Sequence, residues 1–231
     1  MTAAAPELFD RGGWWDPGCR AFRSLRAVND FRVALLRDWL GRPTDGMVVV
    51  DLGCGGGLLA APLANAGARV VGVDLARTAL AECRAAGGER ALAVAGDLLA
   101  PPLADGCADL VLLADVLEHV AEPAAAVRAA ARLVRVGGQL FVNTIARTRR
   151  SRWLAITLAE GLGFVPRGTH TWASFVQPDE LERYARAAAL QLQRRCGESP
   201  RWWASLRSGA IQLRPSHDLS IGYAALYRRI A

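Results

Sequence analysis

Two clusters in this chain have residue types and spacings suited to chemistry. The first is Asp51-Leu52-Gly53-Cys54-Gly55-Gly56-Gly57, which ends the apolar run 47–52. A strand opening into glycines and then a helix lets a ligand approach the backbone where a Cβ would block it. The dinucleotide spelling G-x-G-x-x-G needs its third glycine at position 58, which is leucine. Asp51 stands just before the first glycine and would repel a pyrophosphate. The pattern suits a cofactor with a cationic amino-acid end and no phosphate. Asp74, with Leu75 beside it, closes the next apolar run, where a carboxylate can accept both hydroxyls of a ribose. Asp97, in Ala95-Gly96-Asp97, is placed to meet an adenine amino group. The second cluster is Ala114-Asp115-Val116-Leu117-Glu118-His119. On a helix, positions 115, 118 and 119 face the same way. His119 can then take the proton of a hydroxyl nucleophile. Equally, the two carboxylates and the imidazole can hold a divalent cation, Mg or Zn, that acidifies that hydroxyl.

The elements that must position these residues are legible as alternating apolar runs and helical stretches. Runs at 47–52, 68–73, 91–94, 108–113 and 139–144 read as strands, and 77–87 and 122–135 read as helices. Such alternation implies an α/β fold with a parallel sheet and right-handed crossovers. Both clusters then fall at the C-terminal edge of the sheet, where open α/β sheets bind ligands. Residues 1–45 read as an N-terminal helical cap, with Leu25, Val28, Phe31, Leu35, Leu36 and Leu40 along one face. Residues 46–145 form the cofactor-binding core. Residues 146–231 read as a lid followed by a helix near 178–189 and strands near 188–196 and 221–229 that complete the sheet.

Composition narrows the possibilities. The 231 residues, 52% hydrophobic and 22% charged, suffice for one well-packed domain. The opening MTAAAPELFD has no basic start followed by an apolar core, and no apolar run nears the roughly 20 residues of a membrane span. A cytoplasmic protein is expected. The five scattered cysteines form no C-x-x-C pair and read as free thiols. The net charge of +6 comes entirely from arginine, since the chain has no lysine. Arg147, Arg149, Arg150 and Arg152 lead into an apolar stretch with Trp153 and Phe164. That composition suits peripheral membrane contact through 147–164, or a lid with a solvated basic face. No aromatic residues interleave along a basic strand, and Ala114-Asp115-Val116-Leu117 stands where a nucleic-acid methylase carries N-P-P-Y, so no nucleic-acid partner is expected.

The spelling D-x-G-x-G-x-G resembles motif I of class I S-adenosylmethionine (SAM)-dependent methyltransferases. Nearly the whole chain resembles one branch of them, the ubiquinone-biosynthesis O-methyltransferases. The carriers are Trp14-Trp15-Asp16, Leu25 through Arg32, Asp51 through Gly57, Asp115 through Val120, and Pro166-Arg167-Gly168-Thr169-His170 with Trp172, Phe175, Pro178 and Glu180-Leu181. The resemblance implies a Rossmann-like fold with a mostly parallel, seven-stranded sheet and helices on both faces. It implies two methylations of polyprenylated phenols or catechols and SAM contacts at Arg32, Gly53, Asp74 and Ala114. It also implies a metal held at Asp115, Glu118 and His119, and a ubiquinone-biosynthesis complex as partner. The chain departs from the family at three places. Asp115 replaces glutamate, Arg26-Ala27 replaces a histidine, and 200–210 lacks the Y-N-P segment on the expected substrate side. Two rival readings are an O-methyltransferase for another lipophilic phenol, such as a polyketide, and a non-catalytic SAM-binding scaffold.

Overall fold

Strands buried on both faces carry apolar residues in unbroken runs rather than in alternation. In the computed structural model, which describes residues 9–10, 12–166 and 168–231, those runs become five strands. They are β1 (Val48–Leu52), β2 (Arg69–Asp74), β3 (Ala91–Ala95), β4 (Ala108–Ala114) and β5 (Val134–Ile145). All four pairings among them are parallel. Three further strands, β6 (Leu190–Pro200), β7 (Leu213–Ser216) and β8 (Gly222–Arg229), pair antiparallel and give the order β3-β2-β1-β4-β5-β8-β6-β7. The sheet therefore has eight strands rather than the expected seven. The additional strand, β7, is only four residues long and contains Pro215. Proline is tolerated there because β7 lies at the sheet edge.

The helices are α1 (Arg20–Leu40), α2 (Ala60–Asn65), α3 (Arg77–Gly87), α4 (Pro123–Leu133), α5 (Pro178–Ala187) and α6 (Trp202–Ser208). Proline begins α4 and α5, where its missing N–H costs nothing. Gly41 ends α1 in the left-handed conformation, its N–H donating to the carbonyl of Arg37. Alternate residues of the central strands feed two cores. Val50, Leu52, Val111 and Leu113 pack against Val127 and Leu133 of α4 and Leu181 of α5. Val49, Leu110, Leu112 and Phe141 pack on the other face against Leu36 of α1, Leu63 of α2 and Leu80 of α3. Each such side chain contributes about 1.5–3 kcal/mol on burial, so the sheet is a rigid platform for its C-terminal edge.

The segment expected to form a lid begins as a helical turn, Arg149–Ser151, and continues in wider π-type turns over Arg152–Glu160. Thr148 caps it, its hydroxyl accepting the N–H of Ser151 at 3.0 Å. Among the described residues no helix is long and apolar enough to cross a membrane.

Candidate functional site

The C-terminal ends of β1, β2 and β4 open onto one cavity of about 1020 Å³. β1 runs into Gly53 and Gly55, at φ +73° and +49°, a left-handed region that favours glycine. A Cβ on Gly53 would come within 2.6 Å of Val116. On Gly55 or Gly56 it would collide with the ring of Trp14, at 2.3 and 2.2 Å. Trp15 secures the same loop by donating its indole N–H to the carbonyl of Gly56 at 2.7 Å. Gly53 and Gly55 line the cavity. Gly57 instead faces α3, where an added Cβ would meet Cys83 Sγ at 2.7 Å, so this glycine serves helix packing.

Asp51, Asp74 and Asp97 share the cavity wall with Leu75 and Ala114. Burial, reinforced by the nearby Asp74, pushes the Asp51 carboxyl up to about 7. Asp74 accepts the N–H of Gly55 at 2.8 Å and that of Ala76 at 2.9 Å, joining the end of β2 to the glycine loop. Asp97 accepts the N–H of Leu99 at 2.9 Å. The expected cofactor residues thus gather on one surface, Gly57 excepted.

The second cluster departs from expectation. Asp115 has φ +52°, and only Leu117–His119 winds into a turn, of the 3₁₀ type. Helical phase is lost, and although all three residues line the cavity, each finds a different partner. Asp115 turns to the guanidinium of Arg32. Glu118 accepts the hydroxyl hydrogen of Thr144 at 2.7 Å, and burial together with the charge of Asp115 raises it to about 8. His119 packs between the rings of Phe9 and His170, at centroid distances of 6.0 and 6.4 Å. Burial, and then His170, holds it below the ordinary imidazole value. Among the described residues no three His, Cys, Asp or Glu side chains are grouped to hold a metal ion. The expected ligand set of Asp115, Glu118 and His119 therefore does not fit one. Arg32 and Thr144 occupy the two carboxylates, and His119 is packed against aromatic rings.

Arg32 itself lies at the centre of a buried network. Its guanidinium reaches Glu198 on β6 at 3.1 and 3.3 Å as well as Asp115. Burial opposes its charge, but the two carboxylates outweigh that and hold it protonated. Asn143 completes the network by donating to Glu198 at 3.0 Å.

Two further residues escaped the sequence reading. Glu160, at the end of the π-type turns, is buried and accepts the N–H groups of Gly168 at 2.7 Å and His170 at 3.0 Å. The same carboxylate faces His170 Nδ1 at 3.1 Å. His170 carried a signal, since it sits in the quoted Gly168-Thr169-His170 motif; Glu160 carried none. Arg167 of that motif lies outside the described residues. Beyond the imidazoles the cavity becomes apolar, lined by Leu154, Leu158 and Leu162 and by Trp202 and Leu206 of α6. The arrangement can hold a cofactor at its acidic, glycine-rich end and a large apolar molecule at the other, with imidazoles between.

A glycine loop on β1, an acid ending β2 and the parallel order β3-β2-β1-β4-β5 define a class I SAM-dependent methyltransferase. Residues 50–142 match the family described as a methyltransferase domain. The fold is similar to that of magnesium protoporphyrin IX methyltransferase from Synechocystis PCC 6803, with a TM-score of 0.64 and 22% identity over 91% of this chain and 85% of that one. A relative named ubiquinone biosynthesis O-methyltransferase, from Ralstonia nicotianae, is 39% identical over 225 residues, covering 94% of this chain and 89% of the relative. Another of that name, from Methylococcus capsulatus, is 38% identical over 229 residues, covering 94% and 90%. The chain belongs to the ubiquinone biosynthesis O-methyltransferase family.

Proposed function

We propose that this enzyme transfers a methyl group from SAM to a hydroxyl of a lipophilic phenol or catechol intermediate in ubiquinone biosynthesis. The observation that carries the reading is the continuity of one cavity from Asp51, Gly53 and Asp74 to Leu158, Leu162 and Leu206. Its volume lies at the upper end of the roughly 300–1,000 Å³ usual for small-molecule sites, enough for two ligands end to end. The shared name of the relatives supports the choice of acceptor.

SAM supplies an electrophilic methyl group on a sulfonium centre. The residues present fit it: the backbone is open at Gly53 and Gly55, and Asp51, Asp74 and Asp97 offer carboxylates to its cationic, ribose and adenine parts. Leu75 and Ala114 flank it. Arg32 acts through Asp115 and Glu198, fixing the floor between β4 and β6. Burial and the charge of Asp115 raise the Glu118 carboxyl, which accepts the hydroxyl hydrogen of Thr144. In-line displacement asks the protein to align the acceptor oxygen and remove its proton. One of the two facing imidazoles, His119 or His170, takes that proton. Among the described residues no three His, Cys, Asp or Glu side chains are grouped to hold a metal ion, and no step is routed through one. The apolar end receives the tail, and the exposed Trp153 and Leu162 beside it make peripheral contact with a membrane surface.

The test is methyl transfer from labelled SAM to a demethylubiquinol with a short prenyl tail, compared with a tail-free catechol, with and without chelator. Transfer that prefers the tailed acceptor and persists in chelator supports the reading. Absence of transfer despite measured SAM binding would sink this choice of acceptor.

A further inference from the structure

A general base in an active site needs a free lone pair aimed at the proton and a partner that fixes its ring and tautomer. The two imidazoles facing the cavity differ in this respect. His119 has no ring hydrogen bond to any described residue; its flanks are the rings of Phe9 and His170. An imidazole held only by stacking has no fixed tautomer. His170 is held on three sides. Its Nδ1 lies 3.1 Å from Glu160 Oε1, its own backbone N–H donates to that oxygen at 3.0 Å, and Phe175 meets its ring edge-on at 5.9 Å.

Glu160 is equally constrained. Both of its oxygens already accept backbone N–H groups, from Gly168 and His170, and its side chain is only 7% exposed. A carboxylate used as acceptor at both oxygens requires a donor at Nδ1 of the facing imidazole. The hydrogen of a neutral His170 is therefore on Nδ1, and Nε2 carries the lone pair.

We infer that Glu160 and His170 form a catalytic dyad in which His170 Nε2 accepts the proton of the acceptor hydroxyl, with His119 stacked alongside the ring. The inference rests on the reaction proposed above. In the step, the acceptor O–H bond breaks as the oxygen–methyl bond forms. The electron pair of the methyl–sulfur bond leaves with sulfur, which becomes a neutral thioether. The proton resides on His170 as an imidazolium facing Glu160, and passes to water after the product departs. The placement of Glu160 adds a coupling. It ends the lid segment, whose Leu154 and Leu158 line the apolar end of the cavity. Seating an apolar tail against those leucines steadies the carboxylate that orients the base.

The experiment compares His170→Asn and Glu160→Gln with His119→Ala on two acceptors. One is a catechol of ordinary acidity, and the other is a nitro-substituted catechol whose hydroxyl is ionised at the assay pH. Asparagine retains a donor for Glu160 but lacks the lone pair at Nε2, which guards against loss of the loop. His170→Asn is expected to lower kcat on the ordinary catechol by about 10²–10⁴-fold, and on the nitrated one by less than about tenfold. Glu160→Gln should follow the same pattern with a smaller loss, while SAM affinity measured by calorimetry stays within about twofold of wild type in each variant. His119→Ala should affect both acceptors equally. A loss restricted to the ordinary catechol in His119→Ala, with none in His170→Asn, would overturn the assignment.

A second readout needs no turnover. Long-range ¹H–¹⁵N spectra of the wild-type protein should show His170 as the Nδ1–H tautomer; the Nε2–H form would overturn the dyad. Wild-type enzyme that binds SAM and methylates neither catechol sinks the substrate reading instead, and the tautomer alone then decides the dyad.

Discussion

At the scale of single residues, the site is built by close contacts that leave no room for substitution. Trp14 lies over Gly55 and Gly56, stacked on Phe22 at 4.4 Å, with its carbonyl held by Arg26 at 2.8 Å. It cannot retreat without breaking that stack. Gly56→Ala should therefore cost about 1–3 kcal/mol through overpacking and weaken SAM binding, read as a lower Tm and a calorimetric Kd. Unchanged values would show that the clamp yields freely. A second prediction concerns Arg32, whose removal leaves Glu198 and Asp115 facing each other without a cation. Arg32→Met should lose about 3–5 kcal/mol in urea unfolding, and adding Glu198→Gln should recover part of it. A recovery of nothing would mean that the carboxylates are not in conflict. These contacts explain what was legible. Asp51, Gly53, Asp74 and Asp97 announced themselves because a local spacing encodes a loop. Glu198, Asn143 and Thr144 did not, because their partners lie on other strands and only the sheet order brings them together.

At the scale of elements, apolar runs and helical periodicity placed every central strand and the helices that cover the sheet. They failed where residue pattern and backbone geometry diverge. Asp115 through His119 read as a helix face, yet the positive φ at Asp115 turns the chain before a helix can start. A bare i, i+3, i+4 spacing carries no information about that turn. β7 was missed because four residues with a proline show no period; it exists through its pairing with the end of β6. The proposed membrane contact rests on the composition of 147–164, and α6 offers further exposed tryptophan for it. Trp203 is 87% exposed and Trp153 is 56% exposed, and Trp202 beside Trp203 lines the apolar end of the cavity. Surface tryptophans flanking an apolar mouth are suited to an interface. Trp153→Ser with Trp203→Ser should reduce sedimentation with vesicles containing anionic lipid while leaving turnover of a tail-free catechol within about twofold, since neither side chain lines the cavity. Undiminished sedimentation would remove this surface from the proposal.

At the scale of the whole molecule, the site sets how stability responds to pH. Two buried carboxyls, Asp51 at about 7 and Glu118 at about 8, are raised mainly by burial. In the unfolded chain both return to ordinary carboxyl values near 4. Between roughly pH 6.5 and 9 these two groups bind more protons in the folded protein than in the unfolded one, so their contribution makes stability fall as pH rises. Below that range His119 and His170, held under the ordinary imidazole value by burial, oppose them. The two groups contribute this stability fully at acid pH and lose it as pH passes through their folded values. Each fully protonated group contributes a slope of about 1.4 kcal/mol per pH unit until it ionises. The slope belongs to the protein without cofactor. Where the cationic amino-acid end of SAM approaches Asp51, the ionised carboxylate is favoured, so binding should expel a proton and tighten as pH rises through about 7. Thermal unfolding across this range should accordingly show a Tm that declines with pH in the free protein and declines less with saturating SAM. Calorimetry in buffers of different ionisation enthalpy should register the released proton. If the two Tm curves run parallel and no proton is released, Asp51 does not face the charged end of SAM, and the cofactor lies in the cavity in another orientation.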